Sequence, residues 1–261
     1  MKSVPAITIE TVGNGDIDPS RPPNTWHGVR AREVRWRIKR ATFRHLAKGL
    51  IRLCGYEIIS LGRWRGARNR ARPFHLREEH HRWYGGPWCQ GYDNLEALVE
   101  EGLLPHHRLL DFGCGSLRSG IRIIPYLDTD RYFGIDAHWP SLEVAAAYEI
   151  PLHRLEPKRP RLLYSAAMEI HHFGVKFDRV LAYSFFNHLT PEQCRRAFSA
   201  LRENLAAGGR ILAGRGIGLS DSEIADQGLR VLGRKARSRR FIDGQIEWFE
   251  LGRDDESQPC S

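Results

Sequence analysis

The sequence predicts an α/β protein with a doubly wound, mostly parallel sheet, and three observations support this prediction. Short apolar strands alternate with helical segments from residue 108 to residue 214, which is typical of a parallel sheet with helices on both faces. The 261 residues are enough for one domain of ordinary size and an appendage. Because 41% of the residues are apolar and 27% are charged, the chain can bury a core.

The predicted strands are short apolar runs bounded by turn residues. They cover 108–112, 131–136, 161–165, 177–183, 209–214, 237–242 and 245–251. The last two flank Asp243-Gly244, a pair that is typical of a tight β-hairpin. A seven-stranded sheet that ends in an antiparallel pair is therefore expected.

Four helices are predicted from apolar periodicity and terminal signals. The first follows Asp93 and stops at Gly102, and the others cover 117–124, 141–149 and 190–205. Asp93 and Glu96 have the spacing of a capping box, and so do Thr190 and Gln193. The proline at position 125 is expected to end the second helix.

The most specific feature of the sequence is the segment at 109–115, which reads LLDFGCG. A buried strand runs into a turn there, and Gly113 and Gly115 let the backbone bend sharply and approach a ligand at the start of a helix. Asp136 ends the next strand, where a carboxylate can accept hydrogen bonds from both ribose hydroxyls. Strand, glycine turn, helix, strand and acid together indicate a nucleoside-binding unit.

The glycine turn resembles the first motif of the class I S-adenosylmethionine-dependent methyltransferases, an acidic residue followed by GxGxG. The sequence departs from that motif at Leu117, where the third glycine would stand. The likeness covers about residues 80–251, including 177–191 and 208–212, which look like the family's fourth and fifth strands. It implies a Rossmann-like fold, with S-adenosyl-L-methionine as the cofactor.

The resemblance also implies roles for individual residues. Four residues of the turn would line the methionine half of the cofactor: Asp111, Gly113, Cys114 and Gly115. Asp136 would hold the ribose, and the adenine would be contacted by the backbone, by Met168 or by Glu169. Tyr183 and Ser184, at the end of the fourth strand, would lie near the reacting methyl group. Independently of the resemblance, Tyr84 ahead of the first helix could fold over the cofactor or the acceptor, or it could belong to a packed turn beside Gly85-Gly86-Pro87.

The sequence favours an oxygen atom as the methyl acceptor. The Asn/Asp-Pro-Pro-Tyr signature of methylation at amino groups of bases and amides is absent. An alcohol needs a base to remove its proton, and His188 is the best-placed candidate, with Tyr183 beside it as a second catalytic residue. A histidine in this position can instead orient the loop or cap the following helix.

No metal site or disulfide framework is predicted. The five cysteines are scattered and none has CxxC spacing, which favours a reducing, cytoplasmic setting. The adjacent histidine pairs at 80–81, 106–107 and 171–172 are poorly spaced for a shared ion. The first 25 residues have no apolar stretch, so a signal peptide is not expected.

The net charge of +9 is concentrated in one part of the chain. Residues 1–27 have a net charge of −1 and are predicted to be a disordered lead-in. Residues 28–82 have a net charge of +12 and are predicted to form a basic amphipathic helical extension. Residues 83–261 carry −2 and form the predicted cofactor-binding domain. A second basic run begins at Arg234 and is expected to be a solvated strand face.

Three interpretations of the basic extension remain open. Its arginines and aromatic residues suit an anionic membrane surface, with residues 28–72 docking at the inner face. The same arginines could hold RNA phosphates, although no recognised RNA-binding module is present. The extension could also pack on the catalytic domain as a helical cap.

The first interpretation gives the leading hypothesis for function. Residues 46–61 resemble the lead-ins of bacterial methyltransferases that modify cell-envelope sugars. We therefore expect an O-methyltransferase that acts on a glycan, glycolipid or lipid-linked sugar at the cytoplasmic membrane face. The alternatives are a secondary-metabolite O-methyltransferase with the extension as a substrate lid, an RNA methyltransferase, and a non-catalytic cofactor-binding interaction protein.

Overall fold

The structure is a computed structural model that describes residues 9–12, 90–238 and 245–254. The strands are β1 (Ile9–Val12), β2 (Leu109–Phe112), β3 (Tyr132–Asp136), β4 (Arg161–Ser165), β5 (Phe177–Tyr183), β6 (Leu205–Gly214), β7 (Leu229–Ser238) and β8 (Gln245–Arg253). The α-helices are α1 (Gln90–Glu100), α2 (Gly120–Tyr126), α3 (Trp139–Val144), α4 (Ile150–His153), α5 (Pro191–Asn204) and α6 (Asp221–Ala225). A π-helical turn, Ala145–Glu149, joins α3 to α4, and short 3-10 helices lie at Glu156–Lys158, Ile170–Phe173 and Phe186–His188.

These strands form one sheet in the order β1-β4-β3-β2-β5-β6-β8-β7. All neighbours from β1 to β6 are parallel, whereas β8 runs antiparallel to both β6 and β7. The predicted fold class is confirmed. The antiparallel pair is longer than expected because β7 begins at Leu229, and the Asp243-Gly244 turn lies outside the described residues.

The described sheet has eight strands, not the predicted seven. The additional strand is β1, which pairs in parallel with β4 at the edge of the sheet. Glu10 accepts two hydrogen bonds from the Arg161 guanidinium, at 2.8 and 2.9 Å. The expectation of a disordered lead-in is therefore wrong for these four residues. A strand this short carries too little periodicity to be recognised before its partner is known.

Two helix boundaries also differ from the prediction. Helix α1 already includes Gln90, so Asp93 lies inside its first turn and the capping box predicted there is wrong. Helix α2 begins only at Gly120 and contains Pro125 in its last turn, where a missing N–H removes a single helical hydrogen bond. The capping box of α5 is confirmed, with Thr190 and Gln193 bonded reciprocally.

The sheet separates two hydrophobic clusters. On one face, α1, α2 and the 139–153 helical stretch cover a cluster that includes Leu109, Leu181 and Trp248. On the other face, α5, α6 and the 170–173 turn cover a cluster rich in phenylalanine, in which the Phe186 and Phe198 rings stack at 4.4 Å. Since both faces are covered, the open edges at the strand ends are where a ligand can reach the sheet.

Ion pairs connect α1 to the antiparallel end of the sheet. Glu101 accepts hydrogen bonds from Lys235 Nζ and from Arg237 Nη2, both at 2.7 Å, and Arg237 also pairs with Glu100. Burial opposes the ionisation of Glu101, but the hydrogen bonds from Lys235 and Arg237 outweigh it and lower its pKa. The second basic run is therefore not a simple solvated face at these two positions.

We expect Glu101→Gln to lower the free energy of unfolding at pH 7 by about 1–2 kcal/mol, because a neutral amide cannot replace the carboxylate between two cations. The pKa of Glu101 is lowered on folding, so its contribution is present above the ordinary value and is lost as pH falls through the folded value. The difference in the free energy of unfolding between variant and wild type, measured by urea unfolding, should thus become smaller at acidic pH. Glu100→Gln, whose side chain is 55% exposed, should cost less; an equal cost would contradict this account.

The described helices include none that is long and apolar enough to cross a membrane. In the same part of the chain, no group of three histidine, cysteine or acidic side chains is arranged to hold a metal ion.

Candidate functional site

The carboxyl ends of the parallel strands meet at one edge of the sheet, and the backbone there is strained. Four non-glycine residues that closely follow β2, β4, β5 and β6 have positive φ angles: Leu117 (67°), Met168 (57°), Ser184 (55°) and Arg215 (72°). Side chains rarely adopt this conformation, and such residues cluster at functional sites. Asp130, Arg154 and Arg159 have positive φ angles elsewhere, but the carboxyl edge also holds the glycine turn and is therefore the candidate site.

The glycine turn after β2 lies at the centre of this edge. Gly113 and Gly115 have φ angles of 83° and 54°, and the backbone N–H groups of Gly113 and Cys114 donate to the carbonyl of Ile135. A Cβ on Gly113 would lie 2.5 Å from the ring of Phe185. The turn thus needs glycine at 113 for both its backbone angle and its contact with Phe185.

Leu117 stands where the resemblance places a third glycine, and it preserves the turn. Its φ of 67° is left-handed, which costs a leucine about 1–2 kcal/mol. The side chain is fully buried in the first hydrophobic cluster, and this burial offsets the strain. The departure from the motif therefore changes the side chain but not the path of the backbone.

Asp136 holds the glycine turn against the end of β3. Its Oδ2 accepts a hydrogen bond from the N–H of Gly115 at 2.7 Å, and its Oδ1 accepts one from the N–H of His138 at 2.7 Å. Burial raises the pKa of Asp136 to about 6, although these backbone hydrogen bonds favour the ionised form. The sequence indicated a ribose ligand for this carboxylate but did not reveal its structural role in the turn.

A buried carboxylate lies on the neighbouring strand. Asp111 Oδ2 accepts a hydrogen bond from the Tyr132 hydroxyl at 2.6 Å. Burial, followed by the nearby charge of Asp136, raises the pKa of Asp111 to about 7, although the Tyr132 hydrogen bond and the charge of Arg118 lower it. A cationic ligand beside these two acids would further favour the ionised form of Asp111.

Three buried polar atoms near the turn have no hydrogen-bond partner among the residues that the structure describes. They are Ser116 Oγ, Tyr183 OH and Gln90 Nε2. The first turn of α1 contacts the glycine-turn loop, since a Cβ on Gly91 would lie 2.6 Å from the Arg118 carbonyl oxygen. An unsatisfied buried polar atom costs about 1–3 kcal/mol, so these atoms are suited to partners that a ligand supplies. Sequence reasoning missed Ser116 and Gln90.

The remaining sequence-predicted residues have different surroundings. Tyr183 is 6% exposed and packs against Trp248 at a centroid distance of 5.5 Å. His188 is exposed in the 3-10 helix after β5, and its Nε2 lies 3.4 Å from Asn187 Nδ2. The backbone N–H of Ser184 donates to the carbonyl of Gly214.

Two of the expected cofactor contacts are limited by the core. The Cys114 side chain is buried towards β3, where a Cβ on Gly134 would lie 2.8 Å from its Sγ. The Cys114 side chain is therefore part of the core, and the prediction that this residue lines a ligand site stays a prediction for its backbone. Met168 is partly buried against the second hydrophobic cluster. Tyr84 and the basic extension at 28–82 lie outside the described residues.

Comparison with known proteins is informative for one segment of the chain. Residues 110–211 match the family model described as a methyltransferase domain. This segment carries a methyltransferase domain. The matched segment runs from β2 into β6 and therefore contains the glycine turn and Asp136. A search of curated proteins finds no match to this methyltransferase.

Solved structures agree with this methyltransferase fold. Magnesium protoporphyrin IX methyltransferase from Synechocystis PCC 6803, with bound SAM, is 18% identical, with a TM-score of 0.50 over 73% of this chain and 89% of its own. The glycopeptide N-methyltransferase MtfA is 12% identical, with a TM-score of 0.53 over 68% and 99% of the two chains. TrmN from Thermus thermophilus is 16% identical, with a TM-score of 0.51 over 64% and 49%. At these identities the likeness shows the fold alone.

Proposed function

We propose that this methyltransferase transfers a methyl group from S-adenosylmethionine, bound at the carboxyl edge, to an oxygen atom of its acceptor. The observation that supports this most is the pair of carboxylates beside the glycine turn, of which Asp111 is buried and Asp136 is partly buried. S-adenosylmethionine carries two positive charges and a ribose. The carboxylates would pair with the positive charges of the cofactor. The hydroxyls of Ser116 and Tyr183, which have no hydrogen-bond partner among the described residues, would bond to its polar groups.

Each residue around the turn would contribute a different contact. Asp136 would accept hydrogen bonds from the ribose hydroxyls, since a carboxylate can accept more than the two backbone bonds it has here. Asp111 would lie beside the cationic methionine half. The glycines at 113 and 115 allow the positive φ angles of the turn, and Met168 would contact the adenine. When bound, the cofactor supplies a methyl group already activated by its attachment to a sulfonium.

Binding of this cofactor should depend on pH. Burial raises the pKa values of Asp111 to about 7 and of Asp136 to about 6, so protons compete with a cationic ligand for both groups. We expect the affinity for S-adenosylmethionine, measured by calorimetry, to rise roughly tenfold or more from pH 5.5 to pH 8 and then to level off. Adenosine, which lacks both positive charges, should show a weaker dependence. An affinity for S-adenosylmethionine that stays constant over this range would contradict the assignment.

Removal of the acceptor proton is the chemical step that the protein itself must supply for an alcohol. His188 follows the carboxyl end of β5 and is accessible, so we propose it as the base, with Tyr183 aligning the acceptor. His188→Ala should lower kcat by about 100-fold while leaving cofactor affinity unchanged. A folded His188→Ala protein that keeps nearly wild-type kcat would show that this histidine is not the base.

For the acceptor, we propose a hydroxyl of a glycan, glycolipid or lipid-linked sugar at the cytoplasmic membrane face. The support comes from the sequence, where residues 28–82 carry a net charge of +12 together with Trp36 and Phe43. The test is transfer of a labelled methyl group into fractionated lipid, polysaccharide, RNA and small-molecule extracts. Label in lipid or polysaccharide supports the proposal. Label in small molecules or RNA would select the corresponding alternative, and no label anywhere would favour a non-catalytic cofactor-binding protein.

Membrane docking needs a separate experiment. We expect the full chain to co-sediment with anionic vesicles and not with neutral ones, and Arg35→Gln, Arg37→Gln and Arg40→Gln combined should weaken that binding. The control is an equal loss of charge in the described domain, at Arg154, Arg159 and Arg196. Equal weakening by both triple variants would refute a specific role for the extension.

A further inference from the structure

Two arginines converge on Tyr183 at the carboxyl edge. The Cζ atom of Arg118, in the glycine-turn loop, lies 5.5 Å from the centre of the Tyr183 ring, and that of Arg215, just after β6, lies 5.7 Å from it. Each contact is a cation–π interaction, which offsets part of the cost of bringing two positive charges near one ring. The hydroxyl of this tyrosine is buried and has no partner in the described part of the chain.

Arg215 is held in an unusual backbone conformation and is open to solvent. Its φ is 72°, and Gly216 and Gly218 after it also have positive φ angles, of 90° and 75°. Its N–H donates to the carbonyl of Glu247 at 3.2 Å. A Cβ on the preceding Gly214 would lie 2.9 Å from Tyr183 and from Trp248, so the strand end is packed tightly against both rings. The backbone is thus fixed so that Arg215 stands beside Tyr183.

Arg215 has no ion-pair partner among the described residues, and its place at the carboxyl edge distinguishes it from Arg154, which is also exposed with a positive φ angle. Several arginines elsewhere do form an ion pair with a carboxylate: Arg161, Arg195, Arg210, Arg234 and Arg237. A guanidinium is the side chain best matched to a carboxylate or phosphate, which it can bind through two hydrogen bonds. An exposed arginine in a strained backbone at a functional edge is therefore available to an external anion.

The charges divide the edge into two halves. The half at β2 and β3 contains the acids Asp111 and Asp136, which suit the cationic cofactor. The half at β5 and β6 contains Tyr183 and Arg215, and Arg118 reaches the Tyr183 ring from the glycine-turn loop, where its charge also acts on Asp111. In the sheet order, β5 lies between β2 and β6, so a group bound at the second half would lie next to the cofactor site.

We propose that the methyl acceptor carries an anionic group, a carboxylate or a phosphate, which Arg215 binds together with Arg118 beside Tyr183. This inference rests on the proposed function and narrows its substrate class to hydroxyl compounds with a nearby anion, such as uronic acids or sugar phosphates. The anion completes the charge balance of the basic half, as the cofactor does for the acidic half. It would also hold the acceptor hydroxyl close to the methyl group.

The test measures anion binding by the full chain saturated with S-adenosylhomocysteine. The probes are phenyl phosphate and benzoate, titrated by calorimetry into wild type, Arg215→Met, Arg215→Lys and a control, Arg159→Met. Arg159 precedes β4 at the opposite edge and its side chain is 67% exposed, so the control removes the same charge away from the site. We expect Arg215→Met to lower the affinity for the more tightly bound probe roughly tenfold, Arg215→Lys to lower it less, and the control to leave it unchanged.

Each outcome has a defined meaning. The inference is supported if Arg215→Met, but not the control, lowers the affinity for the anionic probe while the affinity for S-adenosylhomocysteine is unchanged. The probe that the wild type binds more tightly shows whether the site prefers a phosphate or a carboxylate. Equal weakening by both methionine variants, or no anion binding by the wild type, would overturn it. A loss of S-adenosylhomocysteine affinity in Arg215→Met would also overturn it, because the arginine would then serve the cofactor. Failure of the wild type to bind S-adenosylhomocysteine would instead refute the proposed function.

Discussion

Asp136→Asn should lower the affinity for S-adenosylmethionine at least roughly 100-fold, the largest binding effect that we expect from a single substitution. Both carboxylate oxygens accept backbone hydrogen bonds, from Gly115 and His138. An amide has one oxygen, so its NH₂ group would face one of these N–H donors. The substitution therefore loosens the glycine turn and removes the negative charge that would hold the ribose. Calorimetry measures the affinity directly.

The control for this prediction is an acid at the opposite edge of the sheet. Asp130 precedes β3 and pairs with Arg159 on the surface, so Asp130→Asn should leave cofactor affinity within about twofold of wild type. Circular dichroism shows whether each variant is folded. A folded Asp136→Asn protein with nearly wild-type affinity would rule out Asp136 as a cofactor ligand.

Gly113→Ala should have the largest effect on the glycine turn itself. Its Cβ would lie 2.5 Å from Cδ2 of Phe185, and the φ of 83° is unfavourable for alanine. We expect a loss of about 2–4 kcal/mol in the free energy of unfolding, together with loss of cofactor binding. Urea unfolding and calorimetry measure the two effects.

Two further variants separate the causes of this loss. Gly174→Ala measures the cost of a left-handed backbone alone, because the φ angle of Gly174 is 69° and no atom lies within 4 Å of an added Cβ. We expect it to lower the free energy of unfolding by about 1 kcal/mol. Combining Gly113→Ala with Phe185→Leu should recover part of the steric cost. If Gly113→Ala costs no more than Gly174→Ala, the contact with Phe185 does not constrain the turn.

The sequence predicted the parts of the fold that repeat a local pattern. The alternation from residue 108 to residue 214 predicted the parallel sheet, and Thr190 with Gln193 predicted the start of α5 correctly. It did not predict β1, because four residues at an edge become a strand only through pairing with β4. It misplaced the start of α1, since a capping box can occur by spacing alone inside a helix, as Asp93 shows.

The candidate site likewise contains residues that the sequence could indicate and residues that it could not. Asp111, Gly113 and Asp136 stand in a recognisable order along the chain, so local reasoning could select them. Gln90 and Arg215 come from segments far apart in sequence and reach the edge only through tertiary packing. The left-handed backbone of Leu117 could not be read from its identity, because leucine seldom adopts that conformation.

A crystal structure with S-adenosylhomocysteine would show whether the carboxyl edge of the sheet holds the cofactor. We predict that the ribose hydroxyls bind Asp136, that the amino-acid half lies beside Asp111 and the glycine turn, and that Ser116 Oγ or the Tyr183 hydroxyl gains a hydrogen-bond partner. A ligand bound elsewhere, or a ribose that does not contact Asp136, would contradict the account.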